Sequence, residues 1–167
     1  MKATNFFYFL AVILLFGIAL SCNSDSTTNT SGPENNSISG TITFTDTVLA
    51  SNDTINGYYN ISAFANWPPT GPASANAKLF PQKTGNVYKA TYKLTGLNNG
   101  NYVLTTAWIK LPYAPGSVYG LGAYGCDTSA SCIFSPMIGK VTIADNKGVE
   151  NINFLSHLDT AKKLYRF

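Results

Sequence analysis

Apolar and polar positions alternate with a period of two along most of the chain beyond residue 37. In Ile38-Ser39-Gly40-Thr41-Ile42-Thr43-Phe44-Thr45 the even positions are apolar or small and the odd ones mostly carry hydroxyls. That is the pattern of a strand with one buried face. Tyr59, Ile61, Ala63 and Ala65 repeat it. Tyr88, Ala90, Tyr92 and Leu94 alternate with Val87, Lys89, Thr91 and Lys93, which separates an inner from an outer face. Tyr102 to Ile109 is apolar or Thr almost throughout, as a central strand would be. Val141 with Ile143, and Ile152 with Phe154, mark two short closing strands. Turn clusters such as Asn56-Gly57, Thr70-Gly71-Pro72, Gly85-Asn86 and Asn98-Asn99-Gly100 lie between the runs. No segment sustains a helical stripe. The pattern predicts an all-β domain over residues 37–167, an antiparallel β-sandwich of about seven strands.

The first 36 residues obey a different rule. Met1-Lys2 precedes an apolar run from Phe6 to Leu20, the length of a signal-peptide core and short for a membrane span. Ala19-Leu20-Ser21-Cys22 resembles a bacterial lipobox, with Ala19 where the commonest version has Leu. The resemblance implies a signal peptide over residues 1–21, cleavage before Cys22, and a lipid on Cys22. Asn23 to Asn36 contains no apolar residue and cannot pack, so residues 22–36 read as a disordered tether. A flexible chain of this length spans roughly 20 Å. The expectation is a protein of the cell envelope, lipid-anchored and held by that anchor to the outer membrane.

Composition agrees with an extracytoplasmic β-protein. Charged residues make up 11% of the chain, and Asn, Thr, Ser and Gly supply most of the polarity. The net charge is +3, and Lys78, Lys83, Lys89, Lys93, Lys110 and Lys140 are scattered. Nucleic-acid binding needs a basic patch, so it is not expected.

The stretch Tyr92-Lys93-Leu94-Thr95-Gly96-Leu97-Asn98-Asn99-Gly100-Asn101-Tyr102 resembles the Gly-Leu-x-x-Gly-x-Tyr turn of carboxypeptidase-regulatory-like and transthyretin-like domains. Ile38 to Ile42 is similar to their first strand. The resemblance implies a small sandwich and carries little about function. In it, Leu97 plugs the core, Gly100 can take a positive φ, and Tyr102 packs inward with its hydroxyl near backbone. The terminal Tyr165-Arg166-Phe167 is similar to the tail of transthyretin-like hydroxyisourate hydrolases, without their Gly-Ser ending or their histidines.

Candidate chemistry is sparse. Cys126 and Cys132 flank five residues and are expected to form a disulfide outside the cytoplasm, worth about 2 kcal/mol by loop entropy. His157 is the sole histidine and stands beside Ser156 and Asp159, but sequence neighbours rarely make a triad. Asp46, Asn52 and Asp53 offer oxygen ligands of the kind Ca²⁺ takes, with no calcium-loop motif. No catalytic residue, metal or cofactor is therefore expected. Trp67, Tyr113, Tyr119 and Tyr124, with Tyr58 and Tyr59, sit in or beside Gly/Pro-rich segments as candidate ligand-binding aromatics, although such rings commonly plug the core instead. Ala114 to Pro136 reads as one long, disulfide-pinned loop. Asp-Ser/Thr triplets place candidate O-glycosylation at Ser26, Thr47, Thr54 and Thr160, resembling a sequon that one phylum of Gram-negative bacteria uses on exported proteins. The leading expectation is a non-catalytic envelope module that binds a protein partner or serves structurally. The alternatives are a glycan-binding surface lipoprotein and a hydrolase of envelope or extracellular polymer.

Overall fold

The computed structural model describes residues 32–48 and 56–167; the predicted leader, Cys22 and most of the tether lie outside the described residues. The strands run in chain order as β1 (Ile38–Phe44), β2 (Gly57–Phe64), β3 (Ala75–Leu79), β4 (Gln82–Thr84), β5 (Val87–Leu94), β6 (Gly100–Lys110), β7 (Val118–Ala123), β8 (Val141–Ile143), β9 (Phe154–Ser156) and β10 (Tyr165–Arg166). One four-residue helix, α1 (Ala130–Ile133), lies between β7 and β8. The first sheet has the order β4-β5-β1-β9 and the second β10-β7-β6-β2-β3, with β8 paired to the start of β6. Both sheets are open.

The period-two pattern decides which side chains meet between the sheets. Ile38, Ile42 and Phe44 of β1 and Ala90, Tyr92 and Leu94 of β5 face Tyr59, Ile61 and Ala63 of β2 and Leu104 of β6. All are buried, while Lys89, Thr91 and Lys93 stay outside, as alternation requires. The Leu97 turn also behaves as its residues suggest. Leu97 is buried, and the Tyr102 hydroxyl donates to the Asn98 carbonyl at 2.8 Å. Gly100 has a positive φ of 159°, near extended, and Gly96 takes the left-handed conformation, with φ 73°.

Four expectations are corrected. The described residues hold ten strands rather than about seven. Ala114 to Pro136 is not one loop, because β7 occupies its first half. Gly120 and Gly122 made that strand read as a turn. They are small because the Tyr165 ring lies where a Gly120 Cβ would project, and the backbone of Leu155 and Ser156 crowds Gly122. Ile152 precedes the closing strand instead of lying in it. Its N–H donates to Ser39 and its carbonyl accepts from the Tyr92 hydroxyl at 2.7 Å. The sheets are also not wholly antiparallel, since β1 and β9 pair in parallel.

A second, smaller cluster forms on the outer face of the second sheet. Val103, Ala123, Cys126, Ile133, Ile138 and Tyr165 are buried there against Trp67. At this end the second sheet is therefore covered on both faces. Further along β2 and β6 the outer face lies open.

Candidate functional site

That open stretch is a groove of about 480 Å³, within the usual range of small-molecule sites. Its floor follows from alternation. Tyr59, Ile61 and Ala63 point into the core, so Tyr58, Asn60, Ser62 and Phe64 of β2 point outward, beside Thr105, Ala107 and Ile109 of β6. Asn60 and Thr105 are almost fully enclosed. The Asn60 amide donates to the Ser62 hydroxyl at 2.8 Å. Burial pushes the Tyr165 phenol up to about 12, offset in part by a hydrogen bond with the Thr105 side chain. The phenol is thus protonated at every ordinary pH and keeps its proton for hydrogen bonding. Pro69, Pro72 and Phe64 form one lip, Tyr58 and Tyr113 the other, and Tyr165 with Phe167 the end nearest β10.

The sequence-nominated aromatics part company here. Tyr113 is 70% exposed at the lip, where a ligand can reach it. Trp67 is instead a pillar of the second cluster: its indole N–H donates to the Ile133 carbonyl at 2.6 Å, and its ring meets Phe64, Tyr165 and Phe134 within 6.2 Å. Tyr59 lies in the main core with its hydroxyl on the Leu158 carbonyl. Tyr124 packs edge-on against Phe154, and Tyr119 carries the Arg166 guanidinium on its face. Burial beneath neighbouring segments claims Trp67, Tyr59 and Tyr124, and Arg166 claims Tyr119. Tyr113 remains as a groove residue, with Tyr58, one face of whose ring carries the Lys78 ammonium 4.7 Å from its centroid.

Cys126 and Cys132 form a disulfide, with Cα atoms 5.5 Å apart. It staples the segment whose Ile133 and Ile138 fill the second cluster, which in turn backs Tyr165. The bond therefore supports the groove's end wall from behind.

The histidine is used structurally. His157 Nδ1 lies 3.1 Å from Asp46 Oδ2, while Asp46 Oδ1 accepts the N–H groups of Leu158 and Asp159 at 3.0 and 2.9 Å. Lys162 stands 3.7 Å from the same carboxylate. Ser156 turns inward to Thr106, 2.7 Å away, and Asp159 accepts from the Ala161 N–H. Ser156, His157 and Asp159 thus point to three different partners. Both Asp46 oxygens are occupied by the chain itself, and Asn52 and Asp53 lie outside the described residues. Among the described residues no group of three or more His, Cys, Asp or Glu side chains converges. Of the candidate glycosylation sites, Thr47 is exposed and Thr160 is half-buried, while Ser26 and Thr54 fall outside the described residues.

Sequence reading passed over Asn60, Ser62, Asn76 and Thr105. The signal was present in β2, whose outward phase is aromatic, amide, hydroxyl, aromatic. A plain solvent face gives the same alternation, and only the overhanging Pro69 to Ala73 segment and the β10 rings turn it into a groove. These features define an all-β domain with two open sheets, one of which carries a groove of aromatic rings and uncharged polar groups. Comparison with protein-family models, curated proteins and solved structures gives no match for the chain.

Proposed function

We propose that this chain is a non-catalytic, envelope-anchored binding module and that the groove on the second sheet is its site for glycans. The lining carries the reading. Among the described residues that form it there is no acid, amine, guanidinium or imidazole side chain, but there are several aromatic rings and the neutral polar groups of Asn60, Ser62, Asn76 and Thr105. Sugars suit that combination, because their C–H faces lie on rings while their hydroxyls exchange hydrogen bonds with amides and hydroxyls. A polymer hydrolase would need two Asp or Glu carboxylates facing each other across the site, and no described Asp or Glu side chain lines this groove.

The test is a broad glycan array probed with the full chain in mild detergent. Binding is expected, and Tyr113→Ala is expected to weaken it about three- to tenfold, the worth of one ring contact. Tyr113 is exposed, so its removal leaves the fold intact. A blank array from folded protein would sink the glycan reading.

The location rests on the lipobox resemblance at Cys22, with the polar tether that follows it. Two acyl chains on Cys22 would hold the protein to a membrane, since each buried CH₂ contributes about 0.8 kcal/mol. We assign that membrane as the outer one. In the native host, labelled fatty acid should appear on the wild-type chain and be lost in Cys22→Ser; an unlabelled wild type would remove the anchor. The buried Leu97 and the Tyr102–Asn98 hydrogen bond support a relationship to the transthyretin-like sandwiches.

A further inference from the structure

The polar groups of the groove are not scattered over its floor. Strand register puts Asn76 of β3 opposite Ser62 of β2, and Ser62 opposite Thr105 of β6. The Thr105 side chain then meets the Tyr165 phenol. Hydrogen-bonding groups therefore form a row at right angles to the strands, stepping by the inter-strand distance of about 4.8 Å. The lips run the same way. Phe64 with Pro69 and Pro72 borders one side of the row, and Tyr58 with Tyr113 borders the other beyond Asn60. At one end stand Tyr165 and Phe167. At the other end β3 is the edge strand of its sheet, and Asn76 there is exposed.

We infer that the groove takes a linear glycan with an extended, ribbon-like backbone, laid across the strands with one sugar over each of β3, β2 and β6. This rests on the groove being a glycan site and adds the class of glycan and its direction. The argument is one of matching periods. An extended chain of equatorially linked sugars presents a hydroxyl-bearing edge at nearly constant spacing, about that of neighbouring strands, so Asn76 and Ser62 can be met in turn, with the enclosed Thr105 and its Tyr165 partner at the closed end of the row. A glycan that coils in solution carries its hydroxyls off this line after one or two sugars. Nor can a branched one sink between the lips. The ring faces of the ribbon are left to the aromatic lips, which need no particular sugar.

The experiment is titration calorimetry of the full chain with three oligosaccharide ladders, each from one to six sugars. Two are β-1,4-linked, of glucose and of N-acetylglucosamine; the third is α-1,4-linked glucose, which coils. Affinity in at least one β-linked ladder is expected to rise from one sugar to three and then level off. The α-linked trimer is expected to bind at least about tenfold more weakly, the equivalent of one or two lost hydrogen bonds. Asn76→Ala should weaken the β-linked trimer about three- to tenfold. The loss should be larger for the trimer than for the single sugar, because Asn76 lies at the open end of the row. A single sugar that binds as tightly as the trimer, or an α-linked ladder that binds best, overturns the inference. Compact or branched ligands on the array, with no binding in the ladders, also overturn it but leave the glycan reading standing. A blank array removes both.

Discussion

Trp67→Ala is expected to cost about 3 kcal/mol of stability, read as a shift of the urea midpoint. Truncating large aromatics in cores costs about 3–5 kcal/mol, and the half-buried position of Trp67 sets the lower end. Part of the loss is polar, since the Ile133 carbonyl would lose the indole N–H that it accepts at 2.6 Å. Trp67→Phe separates the contributions. It keeps a ring against Phe64 and Tyr165 but removes the donor, so about 1 kcal/mol is expected. A change below about 1 kcal/mol in the Ala variant would contradict the placement of Trp67 as a pillar. The result also bears on binding. Loss of Trp67 loosens Tyr165 and the end wall of the groove, so a binding defect in that variant would not show that Trp67 touches ligand. Tyr113 is the cleaner probe.

Asp46→Ala is expected to cost about 2–3 kcal/mol, because it strips a charged acceptor from two backbone N–H groups that stay enclosed. Asp46→Asn keeps an oxygen for those donors and loses only the charge toward His157 and Lys162, so about 1 kcal/mol is expected. The loss should be local. Asp46 follows β1 and pins residues 157–159, which lead through the Thr160–Lys162 turn to β10. Hydrogen exchange in Asp46→Ala should therefore rise first over residues 157–167, ahead of β1, β2 and β6. Uniform loss of protection would refute this latch. Since β10 carries Tyr165 beside Phe167, the same variant should weaken ligand binding although Asp46 does not line the groove.

The fold class was legible because burial here follows period two so closely. In β5 every residue from Ala90 to Leu94 is on the side its parity assigns. The strand with glycines was not legible, because Gly120 and Gly122 answer to neighbours that arrive from residues 155–165, which no local window contains. The same limit applies to the site. Tyr113 and Trp67 are both aromatics in Pro/Gly segments, and only Tyr113 lines the groove on β2 and β6, because a loop aromatic is equally able to fold back onto the sheet it leaves. The Asn76–Ser62–Thr105 row depends on the register of three strands, and alternation within each strand cannot supply it. The Cys126–Cys132 bond was legible from spacing, but its place behind the Tyr165 wall was not.

The parallel pairing of β1 with β9 has a consequence for how the chain reaches this structure. Phe44 pairs with Ser156, and Asp46 with the three residues after it, across more than a hundred intervening positions. The first sheet cannot close until nearly the whole chain is available. Closing so long a loop before any contact rewards it makes folding slow relative to a helical domain of equal size. In a nascent chain of this topology the β9 side of β1 therefore stays unpaired until synthesis is nearly complete.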